Sequence, residues 1–275
     1  MNQETNYTPA SHQIIKACLS EILHDEDAEK LFYAYLVNKY KDRKYHSLIH
    51  IENMLYSASN LINESCGTNG SFLAAYNNPH QFVCVRSKEI CCKMSSMEVK
   101  TFVLAIIFHD IIKTGETPIK DSIAEAIKVC SWFGIEHDWR ILKHFISFTD
   151  HESQPMNDVN IDDFIGMKKW TDIPGINMAP ENIIWYSLII HDVDLFIFTK
   201  SFHDYCENVY EIYQDTKLPK SVFVEKRIAF LKELTKRKNI FVFKSFPYLE
   251  DAEAEARENI RKELSLYESD ISIFF

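Results

Sequence analysis

Two long apolar runs in this chain are each interrupted by a His-Asp pair. The pairs are His109-Asp110, within the run 103–112, and His191-Asp192, within the run 185–198. Ionisable side chains are costly in apolar surroundings unless they are paired, hydrogen-bonded or bound to a metal ion. With His46 and His50 upstream, two such interruptions predict that His and Asp ligands converge on a metal inside a helical bundle.

The spacing of the two upstream histidines supports this interpretation. Apolar residues at helical intervals predict a helix over 47–62. Its apolar side carries Leu48, Ile51, Leu55 and Ile62, and its opposite side carries His46, His50, Asn53 and Ser57. Residues four apart on a helix are neighbours, so the two imidazoles can reach the same place.

Helical periodicity extends over most of the chain and predicts an all-α fold. Helix-breaking residues are scarce, with 6 Gly and 8 Pro in 275 residues, which favours helices over a turn-rich β fold. The predicted helices are two within 11–40 and one each over 47–62, 97–112, 121–133, 137–148, 181–199, 201–216, 220–237 and 247–267. Asp121 is the expected N-cap of its helix.

Two stretches, 63–96 and 152–180, break this periodicity because Asn, Gly, Ser and Pro cluster in them. We predict that they are insertions in a single domain spanning residues 1–275. As long loops beside the helices, they could shape the mouth of a site.

The composition argues against several classes of function. A formal net charge of -10 makes a bulk electrostatic hold on polymeric nucleic acid unexpected. The apolar runs reach about 10 residues, short of the roughly 20 that span a bilayer, so no membrane partner is expected. The start of the chain has no secretory pattern and the 7 Cys form no C-x-x-C pair, which predicts a cytoplasmic setting. The oligomeric state is not indicated.

Several motifs resemble the HD-domain superfamily, in particular its branch of predicted metal-dependent HD phosphohydrolases. The segment 43–51 resembles the branch pattern R-x-Y-H-x-x-x-H-I, 108–110 its F-H-D, and 192–195 its D-x-D-L. The C-terminal pattern is matched by Arg227, Ala256-Arg257, Asn259 and Glu263-Leu264. The resemblance implies an HD-domain helical bundle and hydrolysis of a small phosphate ester, with a nucleotide-like substrate the default.

The same resemblance implies a metal site. Its ligands would be His50, His109, Asp110 and Asp194. The superfamily places its last ligand just before a Leu, which favours Asp194 over Asp192. Mixed nitrogen and oxygen ligands suit a divalent Mn, Fe, Zn, Ni or Co ion better than Ca. One site is expected, and a second cation is left open, with His144 and His151 as its candidate ligands.

The catalytic roles are expected from the same motifs. His46, one turn before a ligand, would donate a proton to the leaving group, as in the distantly related cyclic-nucleotide phosphodiesterases. Asp110 could also orient the attacking water if it bridges to a second metal. Arg43 or Lys113 would neutralise phosphate charge.

The chain departs from the branch pattern after the second motif. Lys113 stands where the branch has Tyr, and the run 118–122 lacks its Asn-Glu step, for which Glu116 or Asp121 could substitute. Two alternatives therefore stay open. One is an HD-fold protein that binds a metal or ligand with weakened catalysis, and the other is a di-iron oxygenase that would recruit His144 and His151.

Overall fold

The computed structural model describes residues 12–66, 95–113, 117–151, 180–242, 249 and 251–269. These residues form ten α-helices and one 3-10 helix, with no strand among them, so the predicted all-α class is confirmed. The helices are α1 Gln13–Leu23, α2 Glu26–Tyr40, α3 Leu48–Cys66, α4 Ser96–Phe108, α5 Pro118–Trp132, α6 Trp139–Ser147, α7 Pro180–Asp194, α8 Phe202–Thr216, α9 Lys220–Lys236 and α10 Ala252–Ser269, with the 3-10 helix at Leu195–Thr199.

Each predicted helix has a counterpart, but several ends differ. The helix predicted over 97–112 ends at Phe108, which places the first His-Asp pair in the turn after it. The helix predicted from Asp121 begins at Pro118, so Asp121 lies in its first turn and is not its N-cap. A proline fits the first helical position because the missing N–H would have no helical partner there. The helix predicted over 181–199 tightens into the 3-10 helix at Leu195.

The two predicted insertions are only partly described. Residues 63–66 belong to α3, and Ser95 caps α4 by a reciprocal pair of hydrogen bonds with Glu98, so the first insertion is shorter than predicted. Residues 67–94 and 152–179 lie outside the described residues. The single-domain organisation stays a prediction.

Helix α4 lies at the centre of the core. Its side chains from Thr101 to Phe108 are all buried, as expected for a helix that is apolar on every side. It packs against α3, α5 and α6. The Phe102 ring lies 5.9 Å from that of Phe145 and 5.2 Å from that of Tyr186 (centroid distances), which joins α6 and α7 to α4. Each fully buried large apolar side chain contributes about 1.5–3 kcal/mol, so this helix is firmly held.

This packing brings together the start of α3, the end of α4 and the end of α7. Helix α3 packs against both α4 and α7. Its Glu52 also accepts hydrogen bonds from the backbone N–H groups of Ile14 (2.7 Å) and Ile15 (3.0 Å), which caps α1. In the described part of the chain, no helix combines the length and apolar character needed to cross a membrane.

Candidate metal centre

The first His-Asp pair lies where α4 ends inside the protein. His109 is fully buried and Asp110 nearly so. A helix end leaves carbonyl groups without helical partners, and they need other donors when buried. The Tyr40 hydroxyl donates to the carbonyl oxygen of Ile107 in the last turn of the helix (2.7 Å). The Arg43 guanidinium donates to the carbonyl oxygens of Asp110 and Ile111 in the turn that follows, the latter at 2.5 Å. Arg43 therefore holds the turn that carries the pair.

His109 presents its Nε2 atom to two carboxylates. Its Nδ1 lies 2.8 Å from the carbonyl oxygen of Ile106, which can only accept, so Nδ1 carries a proton. Nε2 lies 3.3 Å from Asp110 Oδ2 and 3.6 Å from Asp194 Oδ1. This buried nitrogen nevertheless has no hydrogen-bond partner. A histidine that binds a metal through one ring nitrogen usually donates a hydrogen bond from the other, which orients the ring. The Nδ1 hydrogen bond of His109 fits this arrangement.

His50, in the first turn of α3, approaches from the opposite helix. Its ring centroid lies 5.5 Å from that of His109, and its Nε2 lies 3.4 Å from Asp194 Oδ1. This Nε2 is also buried without a hydrogen-bond partner. On the polar side predicted from the spacing, His50 and Ser57 are buried and Asn53 is exposed, so only part of that side is solvated.

The two aspartates at the end of α7 have different surroundings. Asp194 Oδ1 faces His50 and His109, and its Oδ2 lies 2.9 Å from His151 Nε2. Asp192 is fully buried, and its Oδ1 accepts hydrogen bonds from His191 Nδ1 (2.9 Å) and from the Val242 backbone N–H. Asp194 is thus the aspartate that the structure brings to the two histidines, and Asp192 orients His191.

The two histidines proposed for a second cation are separated by the fold. His151 reaches the cluster through Asp194, and Arg237 holds it there by donating to its carbonyl oxygen at 2.8 Å. His144 packs its ring against Phe148 instead, with centroids 5.1 Å apart. Burial among these side chains lowers the pKa of His144 to about 4.

The spacing predicted that His46 shares the polar side of the third helix with His50. In the structure, His46 lies before α3 begins. The Asp215 carboxylate, from the end of α8, accepts hydrogen bonds from the backbone N–H groups of residues 44–46 and from His46 Nδ1 at 3.0 Å. Nε2 of His46 therefore faces the cluster, 3.6 Å from Asp110 Oδ2. Burial, with the nearby Lys113 charge, lowers the pKa of His46 to about 4.

Sequence reasoning missed Asp215 and Arg237. Asp215 lies 169 residues from His46 along the chain, and Arg237 lies 86 residues from His151. Asp215 is the penultimate residue of α8, and Arg237 follows α9 between two lysines. No local pattern distinguishes them, because their role depends on which turn the fold places beside them.

The charges at the cluster favour a cation between the carboxylates. Burial alone would raise the pKa of Asp110, but the Lys113 ammonium, 2.8 Å from its Oδ2, and His109 hold it well below the usual range. Burial likewise opposes ionisation of Asp194, and its histidine partners lower its pKa well below normal. Burial lowers the pKa of His109, yet the two carboxylates outweigh it and raise the value to about 10.

The two carboxylates therefore favour a positive charge at this place, which a divalent ion would supply. One ligand atom each of His50, His109 and Asp110 lies within 4.8 Å of the others, with Asp194 beside them. The buried unpartnered Nε2 atoms and the mixed nitrogen and oxygen donors fit a divalent transition metal. A second group, His203, Asp204 and Glu207 on α8, is exposed, as acidic groups without a metal commonly are.

Comparisons with known proteins add no name to this site. The chain matches no protein-family model and no curated protein. The helical architecture and the buried cluster of His50, His109 and Asp110 are compatible with an HD-like fold. The resemblance to that superfamily rests on the motifs alone.

Proposed function

We propose that this protein is a metal-dependent phosphohydrolase that acts on a small phosphate ester, with a nucleotide-like compound as the default substrate. One observation carries the proposal. Two buried imidazole nitrogens, Nε2 of His50 and of His109, have no hydrogen-bond partner and face the carboxylates of Asp110 and Asp194. Leaving buried polar atoms unpaired costs about 1–3 kcal/mol each, a cost that a bound metal would remove.

His50, His109, Asp110 and Asp194 would hold the metal. When bound, a divalent transition ion lowers the pKa of a water molecule and polarises a phosphoryl oxygen. The net charge of -10 favours a small substrate over a polymeric nucleic acid.

His46 would handle the proton at its Nε2 atom. It is neutral near pH 7 because its pKa is lowered to about 4, so Nε2 can accept the proton that the attacking water loses and pass it to the leaving group. Asp215, bonded to Nδ1, would stabilise the imidazolium formed in between. Lys113 would neutralise phosphate charge, since its side chain is 31% exposed, whereas Arg43 is committed to the carbonyl oxygens of the His-Asp turn.

The weakened HD-fold binding protein remains the second candidate. The Asn-Glu step of the branch is missing, and the described contact of Asp121 is with Thr117 in its own helix cap, not with the cluster. Glu116, the other possible substitute, lies outside the described residues. We do not propose the di-iron oxygenase, because the contacts of His144 are with Phe145 and Phe148.

The test is metal analysis together with a hydrolysis panel of nucleotides and other phosphate esters. The variant His109→Ala/Asp110→Ala removes the pair at the cluster. The matched control is His203→Ala/Asp204→Ala, which removes the exposed His-Asp pair of α8. The milder Asp194→Asn variant covers the case in which the first variant does not fold.

We expect metal and hydrolysis to be lost together in the cluster variants and retained in the control. Metal without hydrolysis of any ester in the wild-type protein would favour the binding protein. A wild-type protein that holds no metal after reloading would contradict the ligand assignment.

A further inference from the structure

We propose that Arg237 is an oxyanion-binding residue held in place by the second His-Asp pair. Its ligand would be a phosphate or carboxylate group that the substrate carries besides the phosphate that is cleaved. The identity of this ligand rests on the proposed hydrolase. The pair His191-Asp192 is thereby assigned a role, although neither residue is among the proposed metal ligands.

Arg237 is the buried member of a run of three cations. It is only 3% exposed, whereas Lys236 and Lys238 on either side of it are exposed. Within the described residues, no carboxylate forms an ion pair with its guanidinium, and burial lowers the pKa of Arg237. A buried charge is costly unless it is paired, so an anion would be stabilised at this place.

The second His-Asp pair orients this guanidinium. Nη1 of Arg237 donates to His191 Nε2 at 3.2 Å, and Nη2 donates to the carbonyl oxygen of His151 at 2.8 Å. His191 Nε2 can accept because Nδ1 carries the proton, which it donates to Asp192 Oδ1 at 2.9 Å. The Val242 backbone N–H fixes the same oxygen. The Asp192 charge thus reaches Arg237 only through the imidazole.

The Nε atom of Arg237 is available to a ligand. It is buried and has no hydrogen-bond partner. In an arginine, the Nε–H and a neighbouring Nη–H form a planar fork that matches two oxygen atoms of a phosphate or carboxylate. A buried donor without a partner is costly, and an oxyanion would remove this cost and neutralise the charge together.

Arg237 lies beside the metal centre but does not contact its proposed ligands in the described structure. His151, whose carbonyl oxygen accepts from Arg237, is bonded through its Nε2 to Asp194 Oδ2 at 2.9 Å. The rings of His151 and His191 lie 4.9 Å apart (centroid distance). One residue thus separates the guanidinium from Asp194. A small substrate with two anionic groups would place one at the metal and the other at Arg237.

Calorimetric titration of the metal-free protein with inorganic phosphate tests the oxyanion site apart from any metal. The key variant is Arg237→Met. Arg261→Met, which removes an exposed cation of α10, is the matched control because it changes the net charge equally. We expect phosphate to bind the wild-type protein and the control, and to bind Arg237→Met about tenfold more weakly or less, because a charged hydrogen bond is lost. If Arg237→Met does not fold, Arg237→Lys should show the same loss, since an ammonium lacks the fork.

Two substitutions of His191 test the role of the second pair. His191→Gln keeps an oxygen that can accept a hydrogen bond from Arg237, whereas His191→Phe keeps a ring but has no acceptor. We expect phosphate affinity near the wild-type value in His191→Gln and weakened affinity in His191→Phe. Equal affinities in the two folded variants would show that the pair does not position the guanidinium.

The substrate is tested on the metal-loaded protein with adenosine 3′,5′-bisphosphate and adenosine 5′-monophosphate. We expect the wild-type KM to be about tenfold lower for the bisphosphate, and this preference to disappear in Arg237→Met. Equal KM values in the wild-type protein would contradict the second anionic group.

No phosphate binding to the metal-free wild-type protein would overturn the inference, as would equal binding in a folded Arg237 variant. The hydrolase proposal would stand in both cases, because its own test is metal content and hydrolysis. Phosphate binding that depends on Arg237, in a protein that holds no metal, would support the oxyanion site and overturn the assignment of its ligand to the substrate.

Discussion

The protein buries charged groups in two places and satisfies them differently. Around Glu263, each carboxylate oxygen accepts two hydrogen bonds, from Arg227 at 3.0 and 3.1 Å and from the hydroxyls of Tyr205 and Tyr267. Around Asp110, the carboxylate is paired with Lys113, but imidazole nitrogens in the same cluster have no partner. We call the Glu263 group the closed network, because both carboxylate oxygens have hydrogen-bond donors. We call the cluster around Asp110 the open network, because it contains buried nitrogens without a partner.

The difference separates a structural role from a binding role. In the Glu263 network, α8, α9 and α10 are joined by groups that need nothing more, so the network fixes how these helices pack. In the metal centre, the unpaired Nε2 atoms cost stability until a ligand reaches them. Arg227 and Glu263 are both motif residues of the branch that the chain resembles, so a match to a motif does not by itself mark a functional site.

Opening the closed network should have the largest effect on stability. Arg227→Met leaves the fully buried Glu263 carboxylate without its cation, and removing one partner of a buried ion pair costs about 3–5 kcal/mol. We expect this loss in the free energy of unfolding measured by urea titration. Metal affinity should stay at the wild-type value, because the network makes no contact with the metal ligands in the described structure.

Two further variants sharpen this result. Arg227→Met combined with Glu263→Met removes both charges and should recover much of the lost stability, since an apolar pair replaces an unpaired charge. Arg261→Met breaks the exposed pair with Glu258 on the same helix and should leave stability unchanged within error. A full loss in the double variant would mean that packing, and not the ion pair, holds these helices.

Closing the open network should stabilise the protein. A metal that binds the folded state adds about 2.7 kcal/mol to the free energy of unfolding at a free concentration of one hundred times Kd. We expect a corresponding rise in Tm with Mn²⁺ or Co²⁺, reversed by a chelator. His50→Gln should lose this rise, because it replaces one of the two unpartnered nitrogens with an amide.

The Arg227→Met variant is the control here, because it should show the full metal-dependent rise from a lower starting Tm. An equal rise in His50→Gln and in the wild-type protein would place the metal elsewhere. The comparison between the two networks would then lose its functional meaning.

The helices could be predicted because their signals are local. Apolar residues at helical spacing mark each core-facing side, and the Ser95–Glu98 capping box is legible in the sequence. The errors fall at the ends. Where α4 ends at Phe108, Tyr40 hydrogen-bonds to the carbonyl oxygen of Ile107, and Arg43 holds the turn that follows. Such tertiary contacts leave no mark in the local sequence.

The site could be predicted in residue type but not in its supports. His109 and Asp110 could be identified because ionisable side chains inside an apolar run are costly unless they are paired or bound to a metal. The choice of His50 and Asp194 as further ligands came from the resemblance. The structure brings these four residues together, and their role as metal ligands stays a prediction. Asp215 was not predictable, because an acidic residue late in a solvated helix is ordinary until the fold places a histidine against it.

The pH dependence of stability tests whether an unpartnered nitrogen alone makes a site. His144 Nε2 is buried without a partner, as in the metal centre, but its neighbours are Phe145 and Phe148. Burial lowers the pKa of His144 to about 4, below the ordinary 6.5 that the unfolded chain regains. The unfolded state therefore binds the proton first as pH falls, which costs the folded state about 2 kcal/mol at pH 5 relative to pH 7.5.

His144→Leu should remove that cost while leaving metal affinity unchanged. Urea titrations of the metal-free proteins at both pH values give the difference between variant and wild type, in which all other titrating groups cancel. We expect the difference to shift by about 2 kcal/mol in favour of the variant at pH 5. Parallel pH curves would mean that His144 is not buried as a neutral imidazole. Weakened metal binding in the variant would mean that His144 belongs to the open network. The presence of facing carboxylates would then not distinguish a metal ligand from a buried structural histidine.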